Sequence, residues 1–129
     1  TICLPSSKSV PSLSNKLTVA GWGRADNAQT SDVKRIATLY RQDQPKCLNT
    51  IPLPLRDTQI CVGGGKADSC KGDSGGPLMT SIESRDGSVI WYLTGIVSLG
   101  YDKPCGTPNK PGIYTSVSQY LDWIQKTMY

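Results

Sequence analysis

The hydrophobic pattern of the 129-residue chain changes period once. Over most of the length, apolar residues come in short runs separated by Gly, Pro, Ser and Asp. Six runs read as strands: "KLTVAGW" (16–22), "VKRIATL" (33–39), "QICVG" (59–63), "PLMTSI" (77–82), "VIWYLTGIVSLG" (89–100) and "GIYTSV" (112–117). They are rich in the β-branched and aromatic residues that fit a pleated, half-buried surface. "SRDGS" (84–88) carries an Asp-Gly hairpin signal, and Gly95 offers a bend within the fifth run. "LPSSKSVPSLSN" (4–15) and "GRADNAQTSD" (23–32) read as polar surface loops, and the Pro-punctuated region around Cys47 has room for one short helix. Near the end the period becomes helical. Val117, Tyr120, Leu121, Ile124 and Met128 recur on one face, with Ser118 placed to cap, which predicts a helix over 117–128. Six closely spaced strands and one terminal helix predict an all-β, six-stranded antiparallel barrel.

Composition narrows the classes. The chain is one domain or a piece of one, long enough for a real core. A net charge of +4 with scattered Lys and Arg describes an ordinary surface, and nucleic acid is not an expected partner. The longest uncharged apolar run, Val89 to Tyr101, is too short to cross a bilayer as a helix, so no membrane partner is expected. No signal peptide opens the chain, so Thr1 is a mature or an internal start. No N-glycosylation sequon occurs. The five cysteines, Cys3, Cys47, Cys61, Cys70 and Cys105, include no C-x-x-C pair, and the chain has no histidine, so neither a metal nor another cofactor is expected. Their spread suits disulfides in an oxidising compartment. Choosing four of the five and pairing them in three ways leaves fifteen arrangements of two bridges, with at least one thiol unpaired within the chain.

Candidate chemistry concentrates in "ADSCKGDSGGPLM" (67–79), where Ser74 sits between Asp73 and two glycines. "GDSGG" fits the G-x-S-x-G pattern of the α/β-hydrolase nucleophile turn, but that fold needs a helix after the serine and alternating parallel strands, which this chain lacks. An oxyanion hole is the better reading. Acyl transfer places negative charge on the substrate carbonyl oxygen, and the N–H groups of Gly72 and Ser74 can both aim at it. Loss of one such donor typically costs about 2.7–4 kcal/mol in the transition state.

"GDSGGP" (72–77) resembles the nucleophile segment of trypsin/chymotrypsin-like serine proteases. "AGWGR" (20–24), "GIVSLG" (95–100), "KPGIYTSV" (110–117) and "YLDWIQ" (120–125) resemble further segments of that family in the same order. The resemblance covers nearly the whole chain, 1–129, and implies the second Greek-key barrel of a double barrel, with its terminal helix and with the first barrel missing. It makes Ser74 the nucleophile and Gly72 and Ser74 the oxyanion donors. It pairs Cys47 with Cys61 and Cys70 with Cys105, the latter bridge worth about 3–4 kcal/mol in the chain-entropy model. Cys3 is left to bridge a segment outside the chain. Asp73 would pair with the ammonium released when a zymogen is cut.

The same resemblance places Asp68, six residues before Ser74, at the base of the S1 pocket, where its carboxylate selects Arg or Lys before the scissile bond. Losing one partner of such a pair typically costs about 2–5 kcal/mol. Ser69 adds a hydroxyl beside the cation, Tyr114 lines the back of the pocket, and Gly100 and Gly112 leave its walls open. Ser98 meets the triad aspartate and the substrate backbone. Leu99 departs from the tryptophan common in the family, and Pro111 resembles members without a sodium site. Arg24 is a better autolysis candidate than Lys34-Arg35, which fits a strand edge. Trp22, Trp91 and Trp123 are expected in the core or at the barrel rim.

Because a serine nucleophile normally takes its base from histidine, the resemblance implies that the triad His and Asp lie on the other half of the domain, and that this chain alone is inactive. The expected whole is a secreted, zymogen-derived endopeptidase of a regulatory cascade; arthropod immune or clotting proteases, the clip-domain type among them, and vertebrate complement or clotting proteases both stay open, and the look of the loops favours the former. Its expected partners are the N-terminal half carrying His and Asp, the segment linked through Cys3, protein substrates cut after Arg or Lys, and serpin-like or other inhibitors. The competing readings are a catalytically silent homologue acting as a binding or cofactor protein, and a cystine-stapled structural module.

Overall fold

The computed structural model describes residues 1–6, 15–25, 29–100 and 104–128. Parts of the predicted loops 4–15 and 23–32, and Tyr101, lie outside the described residues. Six strands form: β1 Lys16–Gly21, β2 Arg35–Gln42, β3 Gln59–Gly63, β4 Pro77–Glu83, β5 Val89–Leu99 and β6 Pro111–Ser116. They close into an antiparallel barrel in the order β1-β2-β3-β6-β5-β4.

Alternation explains the closure. Leu17 and Val19 of β1, Leu39 of β2, Val62 of β3, Leu78 of β4 and Tyr114 of β6 point inward and are buried. Each such side chain contributes about 1.5–3 kcal/mol by leaving water. A second cluster lies on the outside of the barrel wall. Cys61 and Ile113, paired across β3 and β6, meet Cys47 from the 3₁₀ helix Gln44–Asn49, the short helix expected there.

Some boundaries differ from the pattern. β2 begins at Arg35 rather than at residue 33, because a local turn precedes it: Ser31 Oγ donates to the Val33 carbonyl at 2.7 Å and receives Arg35 Nε–H at 3.1 Å. The irregularity in β5 is a bulge beside Gly95. Leu78 faces Gly95 but Met79 faces Leu93, which leaves Thr94 as the extra residue. The buried Thr94 hydroxyl lies 2.9 Å from that of Thr80, so each polar group has a partner in the core. The Asp-Gly turn forms, with Gly87 at φ +84°.

The end of the chain is helical, as a 3₁₀ turn over Val117–Tyr120 that continues as α1, Leu121–Met128. Ser118 is not its cap. β6 runs to Ser116, Val117 is buried and already helical, and Ser116 holds the capping position without a side-chain cap bond. Ser118 sits inside the first turn, 3.1 Å from the Ser116 hydroxyl.

Of the two places expected for the tryptophans, core and rim, the core is excluded. Trp22 is 56% exposed, Trp91 37% and Trp123 64%, so none is a core residue. Trp91 lies on the outer face of the barrel. There, with Ile2, Ile36, Met79, Leu93 and Ile96, it lines an open apolar cleft of about 740 Å³.

The strand order positions the site. β3 and β4 are consecutive in sequence but not neighbours in the barrel, so residues 64–76 cross one barrel end to join them. The described part of the β5–β6 connection, Gly100 and residues 104–110, lies at that same end.

Candidate active site

The Ser74 turn is fixed to the barrel by backbone bonds on both sides. Gly75 N–H donates to the Val97 carbonyl and Val97 N–H donates to the Gly76 carbonyl, both at 2.9 Å. Within the turn, Asp73 N–H donates to Cys70 at 3.0 Å and Gly76 N–H to Asp73 at 2.8 Å. Glycine is needed at two of these positions. Gly72 has φ +96° and passes over Gly23, where a Cβ would lie 3.1 Å from Gly23 Cα. At Gly76 a Cβ would lie 2.7 Å from the Asp73 carbonyl oxygen. Ser74 and Gly72 are both exposed. Among the described residues, neither their N–H groups nor the Ser74 hydroxyl has a hydrogen-bond partner. Two unpartnered donors beside an exposed hydroxyl can receive a developing oxyanion.

Asp68 and its neighbours form a second group. Gly106 N–H donates to Asp68 Oδ2 at 2.8 Å, joining the two loops at the barrel end. The Cys70–Cys105 disulfide joins them again one residue before Gly106. Burial pushes the Asp68 carboxyl above the ordinary aspartate value. The Gly106 and Ser69 N–H groups pull it back, and the Asp73 charge adds to the rise. Ser69 Oγ lies 2.8 Å from the Tyr114 hydroxyl. Burial is also the main reason that the Tyr114 pKa is pushed up to about 12. A Cβ on Gly112 would lie 3.0 Å from the Tyr114 ring and 3.5 Å from the Leu99 carbonyl oxygen, whereas Gly100 faces open space. Ser98 and Leu99 are exposed at the end of β5, where the register against β6 skips Ser98.

Asp73 is held from the β1 side. Its Oδ1 accepts Gly23 N–H at 2.8 Å and its Oδ2 accepts Cys70 N–H at 2.9 Å. A Cβ on Gly21 or Gly23 would collide with this carboxylate. Between them a cavity of about 280 Å³ opens, bordered by Gly21, Gly23, Arg24, Lys66, Asp68 and Asp73. Gly23 and Gly106 have no side chain to mark a role in the sequence. Both act through backbone N–H groups, and the Gly-x-Gly spacing at 21–23 is the only trace of this in the sequence.

The structure holds two disulfides, Cys47–Cys61 and Cys70–Cys105, while Cys3 is free and exposed. Cys3 lies alongside the outer half of β5, its N–H donating to Trp91 and its carbonyl accepting from Leu93, both at 2.8 Å.

Comparison with known proteins agrees with this architecture. The Trypsin family model matches residues 1–124. CLIP domain-containing serine protease B15 of Anopheles gambiae is 40% identical over 99% of this chain and 35% of its own length. Phenoloxidase-activating factor 1 of Holotrichia diomphalia is 38% identical over 96% of this chain and 33% of its own length. Among solved structures, neuropsin, a serine protease expressed in the limbic system of mouse brain, superposes with a TM-score of 0.78 at 35% identity, covering 99% of this chain and 53% of that one. The chain thus spans about a third of the curated relatives and about half of the solved domain. By family model, sequence and fold alike, the chain belongs to the trypsin family of serine proteases.

Proposed function

We propose that this chain is the C-terminal barrel of the catalytic domain of a trypsin-like endopeptidase that cuts after Arg or Lys. The observation that carries the proposal is the pair of unpartnered N–H groups on Gly72 and Ser74, beside the exposed Ser74 hydroxyl. In this reading Ser74 Oγ attacks the scissile carbonyl carbon. Its proton passes to a histidine, which this chain lacks and the N-terminal half supplies. The Gly72 and Ser74 N–H groups take the oxyanion charge. The C–N bond then breaks, the leaving amine takes the proton, and water releases the acyl group from Ser74.

Asp68 binds the substrate cation. A half-desolvated carboxylate gains most from an opposite charge, because the cation offsets the burial that raises its pKa. Ser69, Tyr114, Gly100 and Gly112 shape that pocket, and Ser98 and Leu99 meet the substrate backbone. Asp73 receives the ammonium of the activated chain within the cavity beside Gly21 and Gly23. The apolar cleft around Trp91 and Ile36 is the seat of the N-terminal barrel, whose packing covers the exposed apolar side chains. Cys3 bridges to a segment retained after cleavage. The two disulfides suit an extracellular site of action. The relatives named for clip domains and phenoloxidase activation support a place in a proteolytic cascade.

The test is active-site labelling of the full-length protein after activation. A fluorophosphonate should modify the peptide that contains Ser74. Absence of label there sinks the enzyme reading and favours a catalytically silent homologue. Equal hydrolysis of Phe and Arg esters sinks the role given to Asp68.

A further inference from the structure

The two disulfides sit in unlike surroundings. Cys47 and Cys61 are fully buried in the cluster that includes Ile113, with Ile51 and Leu55 packed against it. Cys61 belongs to β3 and is paired on both sides, with Gln42 of β2 and Ile113 of β6. A thiolate reaches that bridge only after the barrel wall opens. Cys70 and Cys105 lie outside the strands, on the two connections at the barrel end, and both keep part of their surface in water. Neither borders the apolar cleft assigned to the N-terminal barrel. Exposed bridges between loops are the ones that exchange with thiols, because a local fluctuation suffices to present a sulfur atom.

Opening the exposed bridge acts on one part of the site. It releases Cys105, which precedes Gly106, and Gly106 N–H is the donor to Asp68 Oδ2 at 2.8 Å. Asn109 N–H still donates to the Gly64 carbonyl at 2.9 Å, so the loop stays attached at its far end. The Ser74 turn has its own supports, the two bonds with Val97 and the Asp73 bonds to the Gly23 and Cys70 N–H groups, and none of these passes through sulfur. We propose that Cys70–Cys105 is a redox switch on the cation pocket: a dithiol opens it while Cys47–Cys61 stays closed, and the opened protein keeps its serine chemistry but binds Arg and Lys weakly. In the exchange, one thiolate of the reductant attacks a sulfur of the bridge and forms a mixed disulfide. The second thiolate of the reductant then displaces the remaining cysteine. Cys70 and Cys105 gain two electrons and two protons, and the dithiol ends as its own disulfide. The switch rests on the protease reading of Ser74 and Asp68.

The test titrates the full-length activated protein with dithiothreitol and then blocks the freed thiols with iodoacetamide. Peptide mapping should show Cys70 and Cys105 alkylated at reductant levels that leave Cys47 and Cys61 bridged. Before alkylation at those levels, KM for an Arg ester should be up by roughly tenfold, the worth of a hydrogen bond to a charged group. The rate at which a fluorophosphonate labels Ser74 should change by less than about twofold. Removing the reductant and reoxidising should restore KM. The Cys70→Ser, Cys105→Ser double variant should show the high KM from the start and no response to dithiothreitol. Opening of Cys47–Cys61 before or together with Cys70–Cys105 overturns the inference. So does an unmoved KM with Cys70 and Cys105 reduced, a loss of Ser74 labelling in step with the KM rise, or a response that persists in the double variant. The untreated protein separates the two readings. If it hydrolyses the ester and takes the label, a failed titration counts against the switch alone; if it does neither, the protease reading falls and the switch with it.

Discussion

Gly23 N–H donates to Asp73 Oδ1 at 2.8 Å across a sequence separation of 50 residues, and this bond joins the end of β1 to the Ser74 turn. The absence of a side chain at Gly23 makes the approach possible, because a Cβ there would fall on the Asp73 carboxylate. Gly23→Ala should therefore displace Asp73 and weaken its bonds to both Gly23 and Cys70. Strain of this kind costs about 1–3 kcal/mol. Urea denaturation of the full-length variant should show a lower midpoint with an unchanged slope. Asp73→Asn should act more gently, because the single carboxamide oxygen replaces two acceptors and leaves one donor short.

Asp68 makes stability and activity depend on pH in opposite ways. Its folded pKa is raised, mainly by burial. Between the ordinary aspartate value and the raised one, the folded protein keeps a proton that the unfolded chain has released. Stability therefore falls as pH rises through that window, and above it the buried charge remains a constant cost. Asp68→Asn should remove this dependence and raise stability near neutral pH, since the amide oxygen can still accept Gly106 N–H. Activity should move the other way. Wild-type kcat/KM for an Arg ester should fall as pH drops through the raised pKa, and Asp68→Asn should lose roughly 30-fold or more at neutral pH. Thermal melts and ester kinetics across acidic pH check both halves. A variant as active as wild type on the Arg ester would remove Asp68 from substrate binding.

The strands were legible because the inward rows are mostly apolar and each break carries Gly, Pro or Asp. The serine segment was legible because its chemistry depends on residue type at fixed local spacing. Contacts made by backbone groups were not: nothing in Gly106 or Gly23 announces a donor for a distant carboxylate. Ser69 and Tyr114 are 45 residues apart, and the β3–β6 pairing that sets Tyr114 in the wall appears only in the fold. The tryptophans read equally as core or rim for a different reason. Hydropathy shows that a side chain gains by being covered, but not whether its own barrel covers it, and Trp91 faces outward into the apolar cleft. Ser118 reads as a cap because it stands before the helical spacing becomes regular. The buried Val117 starts the helix earlier, directly from β6.

The Cys70–Cys105 bridge closes a sequence separation of 35 residues and ties the loop carrying Asp68 and Ser74 to the one carrying Gly106. Replacing both cysteines by serine should destabilise the protein by about 3.8 kcal/mol in the chain-entropy model. Arg-ester KM should rise more than kcat falls, because Gly106 N–H would no longer be held against Asp68 while the Ser74 turn keeps its bonds to Val97. Denaturant titration and ester kinetics on the double variant separate the two effects. An unchanged KM would show that the Asp68–Gly106 contact does not need the bridge.

Tyr114 should report on its own burial. With its pKa pushed up to about 12, it stays protonated where an exposed tyrosine is already ionised. Between pH 10, the ordinary value, and about 12 the unfolded chain has lost the phenolic proton and the folded protein still holds it. Stability therefore drops as pH rises through that interval. Absorbance titration should show one tyrosine ionising late, at or together with alkaline unfolding. Tyr114→Phe removes the late phase and flattens the alkaline loss of stability. It also leaves Ser69 Oγ without its 2.8 Å partner. Ser69→Ala is the complementary variant: it strands the Tyr114 hydroxyl in a buried site, which costs about 1–3 kcal/mol. The double variant should be less destabilised than the sum of the two single ones, because it leaves neither hydroxyl unpaired. Strict additivity of the three stabilities would show that the two hydroxyls are not bonded in solution.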